Sequence, residues 1–157
     1  MFKMVSIFIV EDEPSLQLIY KNMFDYLGFQ VVDIASNGRD AVKKFESLFA
    51  DFTKISYAKA VSNCTTALHL ALDALGVGVG DKVVVPSFTY IASANAVEYT
   101  GAEVVFCDIN MRTFNIDVNK LEPILENDKN IKVVMPVNLF GLCADMPEIM
   151  RLAKKYN

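Results

Sequence analysis

The sequence predicts an α/β protein: a doubly wound, mostly parallel sheet of about six strands with helices on both faces. Three observations carry this. Short β-rich runs alternate with segments of helical periodicity along all 157 residues. Most of the runs are apolar on consecutive rather than alternate residues, as in strands covered on both faces. The helical segments carry start and stop signals of their own, a capping residue or proline before them or a glycine after them.

Taken in order, the first run is Val5–Val10, which ends in Glu11-Asp12-Glu13. Pro14 then sits just inside a helix start, Leu16, Ile19, Tyr20, Met23 and Leu27 recur at helical spacing, and Gly28 can take the left-handed conformation that closes the helix. Gln30–Ile34 is the second strand. From Arg39 to about Thr53, Val42, Phe45, Leu48, Phe49 and Phe52 hold one face without a phase break, which predicts a single continuous helix. Ala58–Ser62 reads as a third strand, followed by a helix over Thr65–Leu75 with Gly76 after it. Lys82–Pro86 and Glu103–Cys107 are strands flanking a helix over Ala92–Thr100, which Gly101 ends. A helix over Val118–Glu126 contains Pro123, which weakens it. Lys132–Val137 is the last strand, and Asp145 caps a final helix running to Tyr156.

Composition excludes several functions. Fifteen Lys and Arg against nineteen Asp and Glu give a net charge of −4 with no basic cluster, so binding nucleic acid by phosphate neutralisation is not expected. Cys64, Cys107 and Cys143 are widely spaced, and His69 is the single histidine that could join them at a metal. They read as reduced thiols of a cytoplasmic protein. The apolar start, Met4 to Val10, is too short for a signal peptide, and the uncharged stretch Val83 to Val97 falls short of the roughly 18–20 residues of a membrane span.

The first 48 residues nevertheless resemble the opening half of a response-regulator receiver domain. The words are Ile7-Phe8-Ile9-Val10-Glu11-Asp12-Glu13-Pro14, the helix closed by Leu27-Gly28, and Ala35-Ser36-Asn37-Gly38-Arg39-Asp40-Ala41. The resemblance implies that Glu11 and Asp12 help to hold Mg²⁺, a hard cation suited to clustered carboxylates. On the residues alone, an acidic cluster before a proline-initiated helix reads first as a favourable helix start. The receiver's phosphoacceptor aspartate has no match; Asp108 comes far too late in the chain to supply it.

Residues 49–157 resemble the amino-terminal part of the large domain of the DegT-family sugar aminotransferases, pyridoxal-phosphate enzymes acting on nucleotide-linked keto-sugars. The matching words include Ala60 to Leu72 around Ser62-Asn63-Cys64-Thr65-Thr66, Gly80 to Tyr90, Ala94-Asn95-Ala96-Val97, and Pro136 to Gly141 followed by Ala144-Asp145-Met146. By this resemblance the backbone amides of Cys64 and Thr65 hold the cofactor phosphate at a helix N-terminus, and Tyr90 stacks on the pyridine ring. The alternatives are an ordinary Ser/Asn helix cap and a core aromatic. No residue matches the family's cofactor-bonding lysine or its ring-nitrogen aspartate, so the expected catalytic set is empty and the chain is expected to be inactive by itself.

Together the two resemblances imply a chimera joined within the helix at about 39–53, merged into one globular unit. A noncatalytic α/β scaffold and a response-regulator signalling module stand as alternatives. Exposed strand edges, and the family's active site at a dimer interface, imply a homo-oligomer. Gly76, Gly78 and Gly80 follow a helix and precede a strand, the reverse of a dinucleotide loop, and read as turn glycines. His69 has no partner at an informative spacing, and Asp117 and Asp145 read as helix caps.

Overall fold

The computed structural model describes residues 6–156; Val5, the predicted start of the first strand, and Asn157 lie outside the described residues. The chain divides into two compact units, Met1–Ala60 and Val61–Asn157, each with its own parallel sheet.

In the first unit β1 (Ser6–Val10) pairs in parallel with β2 (Gln30–Ala35) through the crossover helix α1 (Pro14–Tyr26), and α2 (Gly38–Thr53) follows. Pro14 opens α1, the Glu13 carboxylate accepts from Ser15 N–H, and Gly28 at φ +80° turns the chain out of the helix. Asn37 Oδ1 caps α2 by accepting from Asp40 N–H at 2.9 Å. Lys44 anchors α2 to β2, donating to the Ile34 carbonyl at 2.6 Å and reaching Asp33 at 3.3 Å. The helix is continuous, as its unbroken apolar stripe requires.

The second unit comprises α3 (Cys64–Ala74), β3 (Lys82–Pro86), α4 (Ala92–Glu98), β4 (Glu103–Cys107), α5 (Val118–Asn127), β5 (Ile131–Val134) and α6 (Met146–Tyr156). Its strands are parallel in the order β4-β3-β5. The central strand is buried on both faces, and its residues alternate between two cores. Val84 packs with Cys107, Leu121 and Leu125 and with Ile149 and Leu152 of α6. Val83 and Val85 pack with Leu72 of α3 and with Ala96 and Val97 of α4. Helices therefore cover both faces, as expected.

The α/β class with parallel strands and flanking helices is what the sequence predicts, but the single sheet of about six strands is corrected to two sheets, of two and three strands. Ala58–Ser62 is not a strand. The N–H of Ala60 donates to the Glu46 carboxylate at 2.9 Å, and Lys59 binds the same carboxylate at 2.8 Å, so a side chain of α2 takes the place of a ladder partner. β5 is shorter than predicted because, after Met135 N–H donates to the Val84 carbonyl, Pro136 has no N–H to continue the ladder.

Ion pairs fasten the amino ends of these strands. Lys82 lies 2.9 Å from Asp128 and 3.2 Å from Glu103, and Lys132 lies 3.0 Å from Asp81. The hydrogen bond from Lys82 holds the Asp128 carboxyl below its ordinary range, and that from Lys132 does the same for Asp81. A lowered folded-state pKa contributes stability that is present above the unfolded value near 4 and lost as pH falls through the folded one. The thermal midpoint is expected to be flat from pH 7 to 5 and to fall below about pH 4, with Asp128→Asn flattening that acid limb. Circular-dichroism melts check this, and a midpoint that rises on acidification contradicts it.

Candidate functional site

Helix α3 leads into β3 through a short turn and α4 leads out of it, so both run against the strand and begin at the carboxyl edge of the three-stranded sheet. Asn63, extended at φ −166°, caps α3 by accepting from Thr66 N–H at 2.9 Å, and its carbonyl accepts from Ala67 N–H at 3.1 Å. The two amides between them, Cys64 N–H and Thr65 N–H, have no partner among the described residues. Cys64 is exposed and Thr65 half-buried. Two unpaired donors at the positive end of an eleven-residue helix suit an anion.

Tyr90 stands two residues before α4, its carbonyl accepting from Ser93 N–H at 3.0 Å, and its side chain is 78% exposed. It is not a core aromatic. The structure thus places Cys64, Thr65 and Tyr90 on one edge of the second unit, with ring and amides open to a ligand.

Glu11 and Asp12 follow β1 in the first unit. The Glu11 carboxylate accepts from Glu13 N–H at 3.1 Å, and its carbonyl accepts from the Gln17 side chain at 2.6 Å. Among the described residues no group of three or more His, Cys, Asp or Glu side chains is placed to hold a metal. The pair therefore offers a cation two carboxylates at most.

The helix-cap readings of Asp117 and Asp145 hold: their carboxylates accept from Asn119 N–H at 3.0 Å and Glu148 N–H at 3.2 Å. Gly76 and Gly80, at φ +70° and +93°, are turn residues. His69 is not partnerless, because Asp73 one turn on lies 3.7 Å away and Tyr99 packs edge-on against the ring. Asp108 is held by Lys120 at 2.7 Å.

Three features at this edge were not legible in the sequence. Asn115 is buried and joins two loops, accepting from Leu139 N–H at 3.1 Å and donating to the Leu142 carbonyl at 3.0 Å. Phe88, Phe114 and Phe140 meet there, with ring centroids 5.8 Å and 6.0 Å apart along the chain of three. Phe114 and Phe140 adopt φ of +59° and +52°, a left-handed backbone costing a non-glycine residue roughly 1–2 kcal/mol. The one available signal was that Phe88 and Phe140 fall within words matching a known family.

The cysteines divide by environment. Burial, then the charges of Asp108 and Asp117, push the Cys107 thiol up to about 11, whereas Cys64 and Cys143 are exposed. Iodoacetamide at pH 8 is expected to alkylate Cys64 and Cys143 and to spare Cys107 until the chain is unfolded, because the thiolate is the reactive form. Peptide mass spectrometry reads this, and rapid native labelling of Cys107 would contradict it.

The profile of the DegT/DnrJ/EryC1/StrS aminotransferase family matches residues 32–157. The chain belongs to this family. Residues 32–48, read from sequence as receiver-like, fall inside the family match. GDP-perosamine synthase of Caulobacter vibrioides is 50% identical over 124 residues, 79% of this chain and 33% of the relative. UDP-2-acetamido-2-deoxy-3-oxo-D-glucuronate aminotransferase of Pseudomonas aeruginosa is 42% identical over 115 residues, 73% of this chain and 32% of the relative. The crystal structure of NtdA from Bacillus subtilis with bound cofactor PMP superposes with a TM-score of 0.69 at 34% identity, covering 73% of this chain and 26% of that one. The chain spans about a third of the length of the curated relatives it matches. Among the described residues no helix is long and apolar enough to cross a membrane.

Proposed function

We propose that this member of the DegT aminotransferase family contributes the phosphate end of a pyridoxal-phosphate site in a nucleotide-sugar aminotransferase. The observation that carries the reading is the pair of amides, Cys64 and Thr65, at the start of α3, which have no partner among the described residues. Those N–H groups donate to the phosphate oxygens, and the exposed ring of Tyr90 covers a face of the cofactor ring. The bound cofactor would supply the electron sink for amino transfer. These residues bind and orient. No residue among the 157 matches the cofactor-bonding lysine or the ring-nitrogen aspartate, so the 157-residue chain by itself is expected to bind without turnover.

Titrating the ¹⁵N-labelled chain with pyridoxal phosphate and with inorganic phosphate tests this. Amide shifts at Cys64 and Thr65 with both ligands, at Tyr90 with pyridoxal phosphate alone, and no amino transfer from glutamate to a keto-sugar nucleotide are expected. Shifts that spare Cys64 and Thr65 would overturn the site. Turnover would overturn the noncatalytic reading.

A second reading, that the residues before the family match, 1–31, descend from a receiver and the chain is a chimera, draws on β1 and α1 with Glu11 and Asp12 after the carboxyl end of β1. It carries weak Mg²⁺ binding at that pair. Homo-oligomerisation is supported by the outer edges of β4 and β5, which pair with no further strand among the described residues, and a cytoplasmic setting by the three free cysteines.

A further inference from the structure

Helix α2 leaves its apolar stripe in water. Val42, Phe45, Phe49 and Phe52 recur at alternating spacings of three and four, the a and d positions of a heptad, with Leu48 beside them. These five residues are 39–83% exposed. What holds the helix to β2 is polar instead: Lys44 donates to the Ile34 carbonyl and reaches Asp33, and Asp40 lies 3.6 Å from the same ammonium. Phe45 and Phe49 stack on each other along the stripe, with centroids 6.0 Å apart. The first unit has little else to close on. Among the described residues its buried hydrophobics are Ile9 and Ala35, and both larger hydrophobic clusters belong to the second unit. Two strands and two helices with so small a core are marginal until another surface covers them.

Area and charge both bear on what that surface is. With about 150–250 Å² for a fully exposed aromatic side chain, the five residues together expose roughly 500 Å². One side of a standard interface is about 800 Å², and in homodimers about 65% of it is apolar, so the stripe has the apolar area that one side needs. A lipid surface calls for a mostly cationic polar face. Here Asp40, Glu46 and Asp51 are interspersed with Arg39, Lys43 and Lys44. Arg39 and Lys43 in the first half of α2, and Asp51 in the second, enter no ion pair among the described residues. An antiparallel copy of the same helix lays the cationic half of one along the anionic half of the other and opposes the two helix dipoles. A two-fold axis beside Ser47 then sets Phe45 of one copy against Phe49 of the other, and Val42 against Phe52.

We propose that the apolar stripe of α2 is a self-association surface on which two copies of this chain pair antiparallel, completing the core of the first unit. The surface is separate from the strand edges of the second unit and does not depend on the cofactor site.

Sedimentation equilibrium of the whole chain tests it. A monomer–dimer equilibrium is expected between micromolar and millimolar concentration. Phe45→Glu and Phe49→Lys should each weaken the dimer about thirtyfold or more. An equimolar mixture of the two variants should regain it, because the introduced carboxylate meets the introduced ammonium across one layer while the other layer keeps both rings. Far-ultraviolet spectra control for folding. In the unaltered ¹⁵N-labelled chain, dilution should shift amides within 41–53 and leave those of β4 and β5 in place. A chain that stays monomeric, variants that dimerise as the original does, or dilution shifts confined to β4 and β5, as pairing through strand edges would give, each overturn the proposal. Variants that fail to complement on mixing overturn the antiparallel pairing, since parallel helices would set position 45 against itself. Binding of a monomeric chain to phosphatidylserine vesicles through 41–53 overturns it in favour of a lipid.

Discussion

Leu121→Ala is expected to destabilise the second unit by about 3 kcal/mol, enough to lower its thermal midpoint by roughly 15 °C in a unit of this size. Leu121 is fully buried between β3 and β4 on one side and α6 on the other, packed with Val84, Cys107, Leu125 and Leu152. Truncation removes three carbons from contact and leaves a cavity that rigid strands on one wall cannot close, which puts the cost well above that of transfer alone. Leu75→Ala is the control: Leu75 is 60% exposed at the end of α3, and its loss should cost about 0.5 kcal/mol or less. Urea unfolding followed by far-ultraviolet circular dichroism gives both values. A Leu121→Ala cost below about 1 kcal/mol would mean that this core is not packed as described.

Cys64→Pro is expected to reduce affinity for phosphate and pyridoxal phosphate about tenfold while leaving the stability of α3 nearly unchanged. Cys64 is the first residue of the helix, where proline's fixed φ is already suited and its missing N–H breaks no helical bond. Asn63 before it is extended, the conformation a following proline requires. The substitution thus deletes one donor of the site and little else. Cys64→Ala supplies the decisive contrast, because it keeps the amide and removes the thiol and should bind as the original does. If Cys64→Ala loses as much affinity as Cys64→Pro, the anion is held by the sulfur and not by the backbone, and the helix N-terminus is not the site. Isothermal titration measures the affinities and thermal melts verify the helix.

Where an element's limits are set by its own residues, the sequence could be read closely. Lys82–Pro86 and Glu103–Cys107 have the predicted bounds, and α1 opens at Pro14 as predicted. The start of α3 is legible to within a residue, whereas Cys64 and Thr65 stand out only by the family resemblance of Ser62-Asn63-Cys64-Thr65-Thr66. What depended on a distant partner could not be read. An apolar run tells that a strand is covered on both faces but not which strand lies beside it, so nothing in the runs separates two sheets from one. Ala58–Ser62 has strand-like residues, yet a carboxylate fourteen residues earlier in the chain takes the Ala60 N–H. The meeting of Phe88, Phe114 and Phe140 is not legible for a different reason. Phenylalanine carries no local signal for a left-handed backbone, and Phe114 and Phe140 take it because tertiary contacts such as those of Asn115 impose it.

The central place of β3 in its sheet bears on the order in which the second unit assembles. Lys82 pairs with Glu103 on one side and with Ile131 on the other, so the second pairing closes a loop a little more than twice as long as the first. Closure entropy grows only with the logarithm of length, and doubling the loop adds about 0.6 kcal/mol. The β3–α4–β4 crossover therefore has a modest head start. It is also the half whose helix and strand come from one short continuous stretch, so it can nucleate before the chain beyond Cys107 has found its place. The second layer, α5 and α6 with β5, then condenses on a strand whose other neighbour is already in position. Substitutions in Val85 or Val97 should consequently slow refolding, whereas Leu152, which joins late, should chiefly speed unfolding.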